Sequence, residues 1–185
     1  MKKHLYAFLL AVLVTLTGCQ SGPQRGDPPM AIAPHVDLPR FMGDWYVHGY
    51  TPTALDRNAF NPVESYALNP DGTIATTYRF NQAAFGGPEK VYHPKAKVVD
   101  QISNAEWRMR FFGVITFPYL IVYVSDDYRE TIVAHPNREL AWIMTRSPVI
   151  DEARYLELRS QLVARNFDLS TLVRAQHQPA ASQSE

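Results

Sequence analysis

Between residues 45 and 145 the chain alternates short runs rich in β-branched and aromatic residues with clusters of turn formers. The runs fall at 45–50, 63–68, 73–80, 90–99, 106–112, 119–124, 129–134 and 140–145. Residues 63–68 and 73–80 flank Asn69-Pro70-Asp71-Gly72, whose Asp-Gly is a strong hairpin signal. Within 106–112 the alternation is plain: Trp107, Met109 and Phe111 share one face, Arg108 and Arg110 the other. Eight short strands with short links predict an all-β domain, an antiparallel up-and-down barrel or a sandwich. One helix is predicted over 151–165. Asp151 suits its N-cap, and two apolar sets recur at helical spacing: Ala153, Leu156, Val163 and Tyr155, Leu158, Leu162. Arg165 and Asn166 suit its end, and residues 169–175 could add a ninth strand.

The N-terminus reads differently. Lys2, Lys3 and His4 precede an apolar stretch at 5–14, too short for a membrane span of roughly 20 residues. A basic start, a short apolar core and small residues before a cut site mark a secretory signal. Leu16-Thr17-Gly18-Cys19 resembles the lipobox of bacterial lipoproteins, in which the thiol receives diacylglycerol and the chain is cut just before it. That resemblance implies that Cys19 becomes the first mature residue and carries the lipid. Gln20 replaces the Asp that often signals inner-membrane retention, which points to the outer membrane, at its periplasmic face. Several acyl chains anchor firmly, at about 0.8 kcal/mol per buried CH₂. The expected organisation is a signal peptide at 1–18, a lipidated, Pro- and Gly-rich tether at 19–37, a domain at 38–177 and a polar tail at 178–185.

Composition then narrows the chemistry. Removing 1–18 also removes Lys2 and Lys3, leaving 16 basic against 18 acidic side chains. No basic block argues for nucleic acid. Cys19 is the only cysteine, so the domain has no disulfide, no thiol nucleophile and no cysteine metal ligand.

Three separated motifs then match one family. Gly43-Asp44-Trp45-Tyr46 opens the first strand, Ser125-Asp126-Asp127-Tyr128 lies between the sixth and seventh, and Thr145-Arg146 ends the eighth. This resembles the lipocalins. Trp142-Ile143-Met144-Thr145-Arg146-Ser147-Pro148, the helix and Asn166-Phe167-Asp168-Leu169 are similar to the lipocalins of the bacterial outer membrane, relatives of apolipoprotein D and plant temperature-induced lipocalins. The resemblance spans about residues 38–177. It implies an eight-stranded antiparallel barrel, closed at one end, with the helix packed outside. It also implies that Trp45 plugs the closed end, with Gly43 beside it and Arg146 across its indole, as structural residues.

Side-chain alternation suggests which residues line such a cup. If Arg146 points inward, so do Met144, Trp142 and Leu140. Trp45, Val47 and Gly49 share a face, as do Ile74, Thr76, Tyr78 and Phe80. On the sixth strand the resemblance favours Tyr119, Ile121 and Tyr123 over Leu120, Val122 and Val124. The expected ligand-binding set is therefore Tyr78, Phe80, Trp107, Met109, Tyr119, Tyr123 and Trp142, an apolar wall with a few polar atoms. Loops at 112–118 and 85–87 carry apolar residues that could form a rim against a membrane or a second copy, leaving a homodimer open.

Catalytic motifs are missing: there is no Gly-x-Ser-x-Gly, P-loop or paired-histidine motif. His48, His93 and His135 are isolated and expected on solvated faces, and Asp126 and Asp127 read as a capping turn. No catalytic residue, metal or cofactor is expected. The sequence thus points to an anchored lipocalin that stores or moves a fatty acid or lysophospholipid. The alternatives are a binder of haem or pigment, or an enzyme on the same fold. The anchor is checked by fractionation: Cys19→Ser should leave an uncut or mislocalised precursor, and full retention in the outer membrane would overturn the lipid attachment.

Overall fold

The structure, a computed structural model, describes residues 28–178. The lipobox and Cys19 lie outside the described residues. A short helix α1 (Leu38–Phe41) leads into strands β1 (Gly43–Tyr50), β2 (Ala59–Leu68), β3 (Thr73–Gln82), β4 (Glu89–Tyr92), β5 (Lys95–Val98), β6 (Glu106–Phe111), β7 (Ile115–Val124), β8 (Glu130–Ala134) and β9 (Ala141–Thr145). Helix α2 (Glu152–Val163), a 3₁₀ turn at Leu169–Thr171 and a two-residue strand β10 (Val173–Arg174) complete the fold.

The sheet is antiparallel and closes on itself through β1 and β9, where Tyr46 pairs with Thr145 and Val47 with Met144. Closure leaves no open edge of the barrel to recruit another strand. Eight wall positions result, because β4 and β5 share one. The expected strand at 90–99 is broken at His93-Pro94: β4 pairs with the end of β3, β5 with its start. Proline has no N–H to give to the ladder, and Pro94 instead offers its carbonyl to the Thr76 amide at 3.1 Å. The expected ninth strand shrinks to β10, which pairs only with Gly49 and Tyr50 of β1. The β2–β3 hairpin turns at Asn69-Pro70-Asp71-Gly72, with Gly72 at φ +77° and the Asp71 carboxylate accepting the Thr73 amide at 3.0 Å.

Alternation along the strands creates two cores. Inside the barrel lie Trp45, Val47, Ile74, Tyr78, Phe80, Trp107, Met109, Tyr119, Ile121 and Met144. Outside, α2 packs on Leu120, Val122, Ile132 and Ile143. Asp151 caps α2 by accepting the amides of Ala153 and Arg154. Of its two apolar sets only Tyr155, Leu158 and Leu162 are buried, while Leu156 and Val163 face solvent. Gly49 lets the helix approach, since a Cβ there would stand 2.8 Å from Tyr155 Oη. No helix among the described residues is long and apolar enough to cross a membrane.

The base is closed by one clasp. The Arg146 guanidinium lies 3.7 Å over the Trp45 ring. Its Nη1 donates to Asp44 O at 2.8 Å, its Nη2 to the carbonyls of Arg40, Phe41 and Met42, and its Nε to Tyr128 O. Trp45 Nε1 donates to Phe41 O at 2.9 Å. Gly43 belongs to this geometry: its φ is +93°, and a Cβ there would press on Arg146 Nη1 at 3.3 Å. Trp45 is fully buried, so Trp45→Ala should cost about 3–5 kcal/mol, read as a lower denaturant midpoint. An unchanged midpoint would mean that the ring does not carry the base.

Candidate functional site

The cup above that base holds a cavity of about 230 Å³. Its apolar wall comes from Met109 and Phe111 on β6, Ile115, Phe117 and Tyr119 on β7, Leu140 and Trp142 around β9, and Leu55 from the loop after β1. Tyr78 of β3 and Glu64 of β2 also line it, as do Thr53, Ala54, Asp56 and Phe112.

The expected site residues divide into three groups. Tyr78, Met109, Tyr119 and Trp142 line the cavity. Phe80 and Trp107 are inside the barrel but packed away. Phe80 sits between the rings of Tyr78 and Tyr92, and Trp107 lies against Phe41, Tyr66 and Tyr119. Tyr123 is corrected: it faces the outer helix, where Arg154 Nη2 donates to its hydroxyl at 3.3 Å. The cause is a register shift between Ile121 and Tyr123, which turns Val122 and Tyr123 outward and returns Val124 to the inside. A second shift, between Val47 and Gly49, corrects β1 likewise: Gly49 faces α2, and Tyr50 enters the interior instead.

The isolated histidines also need one correction. His93 is exposed and His135 half-buried, but His48 is buried on the outer wall beneath His177. Its Nε2 lies 3.0 Å from Thr145 Oγ1 and 2.9 Å from Ser147 O. Burial pushes its pKa down to about 4, so it is neutral at pH 7. Asp127 does cap its turn, accepting from Ser125 Oγ and the Arg129 amide.

Two carboxyl groups inside the cup were not anticipated. Glu64 pairs with Trp45 on one side and Tyr78 on the other, and is 6% exposed. The hydroxyl of Tyr119 donates to its Oε2 at 3.4 Å and is itself in a short hydrogen bond with the Tyr66 hydroxyl. Burial raises the Glu64 pKa from the ordinary 4.5 to about 7. The hydroxyls of Tyr66 and Tyr119 pull it back, and the nearby Asp56 carboxylate adds to the rise. Burial, then the Glu64 charge, holds the Tyr119 phenol well above its usual range, so it stays a donor. Asp56, 3% exposed, accepts from the Thr53 amide and hydroxyl, each at 2.7 Å, and from Tyr78 Oη at 3.1 Å. Among the described residues no group of His, Cys, Asp and Glu is placed to hold a metal ion.

A closed eight-stranded barrel with an outer helix, a Trp–Arg base and an apolar cup matches known proteins closely enough to place the chain. The lipocalin-like domain family matches residues 36–177. The chain is a lipocalin. Lipocalins are typically binders of hydrophobic ligands and not enzymes. This lipocalin is 26% identical over 152 residues to temperature-induced lipocalin-1 of Arabidopsis thaliana, covering 77% of this chain and 80% of that one. It is 24% identical over 175 residues to outer membrane lipoprotein Blc of Vibrio cholerae, covering 92% and 98%. It is also 24% identical to the Blc lipoprotein of Escherichia coli, covering 91% and 93%. Insecticyanin of the tobacco hornworm Manduca sexta shares the fold, with a TM-score of 0.65 at 16% identity over 85% of this chain and 89% of that one.

The raised pKa of Glu64 has a consequence for stability. The native state holds this proton more tightly than the unfolded chain. The stability it contributes is therefore complete below pH 4.5 and is lost as pH rises through about 7. His48 has the opposite sign, so the parent alone gives a mixed profile. The difference between Glu64→Gln and the parent isolates the carboxyl: relative to the parent, the variant should gain about 3 kcal/mol between pH 4 and pH 8 in denaturant titrations. A pH-independent difference would show that Glu64 titrates normally.

Proposed function

We propose that this lipocalin is a membrane-anchored, non-catalytic binder that holds a single-chain lipid, such as a fatty acid or lysophospholipid, for storage or transport in the cell envelope. The observation that carries the reading is the size and character of the cup. A cavity of about 230 Å³ lies below the usual range of ligand pockets, roughly 300–1,000 Å³, which favours one narrow chain over a bulky guest. Its wall is largely aliphatic and aromatic, and each buried methylene gains about 0.8 kcal/mol. Association costs of roughly 4–15 kcal/mol bring the gross gain of a dodecyl chain down to ordinary affinities. Haem or a large planar pigment is the weaker alternative, since it needs a wider cup and no histidine is among the lining residues.

The anchored part of the reading draws on the route of the tether. Arg138 Nη2 donates to Pro28 O at 2.8 Å, so the chain enters the domain beside the β8–β9 loop, at the open end. Ala33 then bonds to Ile121 O, and Val36 to Ser103 O near the base. Cys19 lies nine residues before Pro28, a reach of at most about 30 Å. Phe112, Val114 and Ile115 expose apolar surface at that same end. A lipid on Cys19 would therefore hold the mouth near the membrane, where a lipid guest is exchanged. The similarity to proteins named outer membrane lipoprotein supports the same placement.

Of the three tryptophans, Trp142 alone is among the residues that line the cavity. Titration with a long-chain lysophospholipid or fatty acid should quench its fluorescence and saturate at one guest per barrel. Trp142→Ala should remove the quench and weaken binding by about 1–3 kcal/mol while the fold survives. Failure of every single-chain lipid to bind the parent would overturn the function and leave the fold intact.

A further inference from the structure

The cup has an electrostatic character that its apolar wall conceals. Among the side chains that line it, Glu64 and Asp56 carry carboxyl groups, and none carries a cation. Their positions differ. Asp56 belongs to the loop between β1 and β2 and already accepts three hydrogen bonds from within the protein, two from Thr53 on one oxygen and one from Tyr78 on the other. Glu64 lies deeper, level with Trp45 in the sheet, so it forms part of the floor. The Tyr119 hydroxyl reaches it only across 3.4 Å, a long contact for an O–H donor. With the Tyr66 and Tyr119 hydroxyls as its hydrogen-bond partners, a carboxylate of about four acceptor sites still has capacity left for a guest. An apolar chain end resting on it would add desolvation and return nothing, and an anionic chain end would add repulsion at low dielectric.

We propose that Glu64 is the recognition residue at the floor of the cup, and that the preferred guest is a long alkyl chain whose inner end carries an amine or a hydroxyl, not a carboxylate. The proposal rests on the lipid-binding reading above and narrows it. The donor end seats against Glu64 with Tyr119 beside it, and the alkyl chain runs up past Met109, Phe117 and Trp142 to the mouth. An ammonium end gains most, because a charge-assisted hydrogen bond is about twice as strong as a neutral one. The raised proton affinity of Glu64 in the empty cup is consistent with this, since an arriving cation supplies the positive partner that the protein withholds.

The test compares three probes with one tail: dodecan-1-amine, dodecan-1-ol and dodecanoate. The protein is the full chain carrying Cys19→Ser to remove the lipid, and the readout is Trp142 fluorescence at pH 8. The expected order is amine, then alcohol, then dodecanoate, with the amine ahead of the carboxylate by roughly tenfold or more. In Glu64→Gln the amine should lose most of that lead, while dodecanoate binds as well or better. The parent's ranking stands as a test even if the variant fails to fold. Equal affinities for the three heads, or dodecanoate first, would overturn the proposal while leaving lipid binding in place. An amine preference that survives Glu64→Gln would assign it to Asp56 near the mouth and overturn the role of Glu64. No binding by any probe would instead bring down the lipid-binding reading itself.

Discussion

The barrel depends on one cation held by an indole face and a ring of backbone carbonyls. Arg146 closes the base by stacking on Trp45 and by gathering carbonyl oxygens from α1, from the start of β1 and from the turn before β8. The first two segments adjoin in sequence and the third lies far along the chain, and each would otherwise leave carbonyls unsatisfied at a buried end. The last carbonyls of α1 are of this kind, and a basic side chain at a helix C-terminus is the usual remedy. A planar fork can stack and donate in several directions at once, which an ammonium cannot do. The clasp also explains why the first motif needs glycine at 43: both the backbone twist and the space belong to the arginine. With the base fixed, the interior can stay open above it.

Much of this was legible in the sequence because a barrel wall is usually buried on one face only. Where one side meets solvent, as on β6 with Arg108 and Arg110, the alternation states its own orientation. Where both sides are covered the signal fails. The stretch 119–124 is apolar throughout because the cup lies on one side and α2 on the other, so nothing in it marks the bulge that expels Tyr123. The Gly49 bulge is silent for the same reason, with Tyr155 covering the outside. The two carboxyls were hidden differently. Glu64 shares its face with Tyr66, while Val63 and Ser65 make an equally mixed face opposite, so alternation does not choose between them. Asp56 sits in a loop with no period at all. Both positions break the rule that carboxylates stay out of apolar interiors, and such violations concentrate where function is selected over stability.

The interior is accordingly graded along the barrel axis. Phe41, Trp45, Tyr66 and Trp107 fill the base with aromatic rings at centroid distances of 5.0–5.6 Å. Next comes a thin polar layer, Glu64 with the hydroxyls of Tyr66 and Tyr119, whose hydrogen bonds lower the cost of burying the carboxyl without removing it. Above that the wall is apolar again. A cup selected for stability alone would replace the polar layer with aliphatic side chains, which are often as stable as a buried ionisable group or more so. Under the proposal for Glu64, keeping it makes the floor selective and leaves the apolar wall to supply most of the affinity.

Entry is controlled at the other end. The base is pinned by Arg146, so a guest must pass the mouth, and there the loop between β1 and β2 turns inward. Asp56 holds it down. The carboxylate ties Thr53 within the loop and reaches Tyr78 on the wall, while Tyr50 donates to the Asp56 backbone carbonyl and accepts the Ala59 amide. These bonds are local and few, unlike the continuous ladder of the barrel, so this loop can open at less free energy than any strand. One buried acid therefore shapes the mouth and the other the floor.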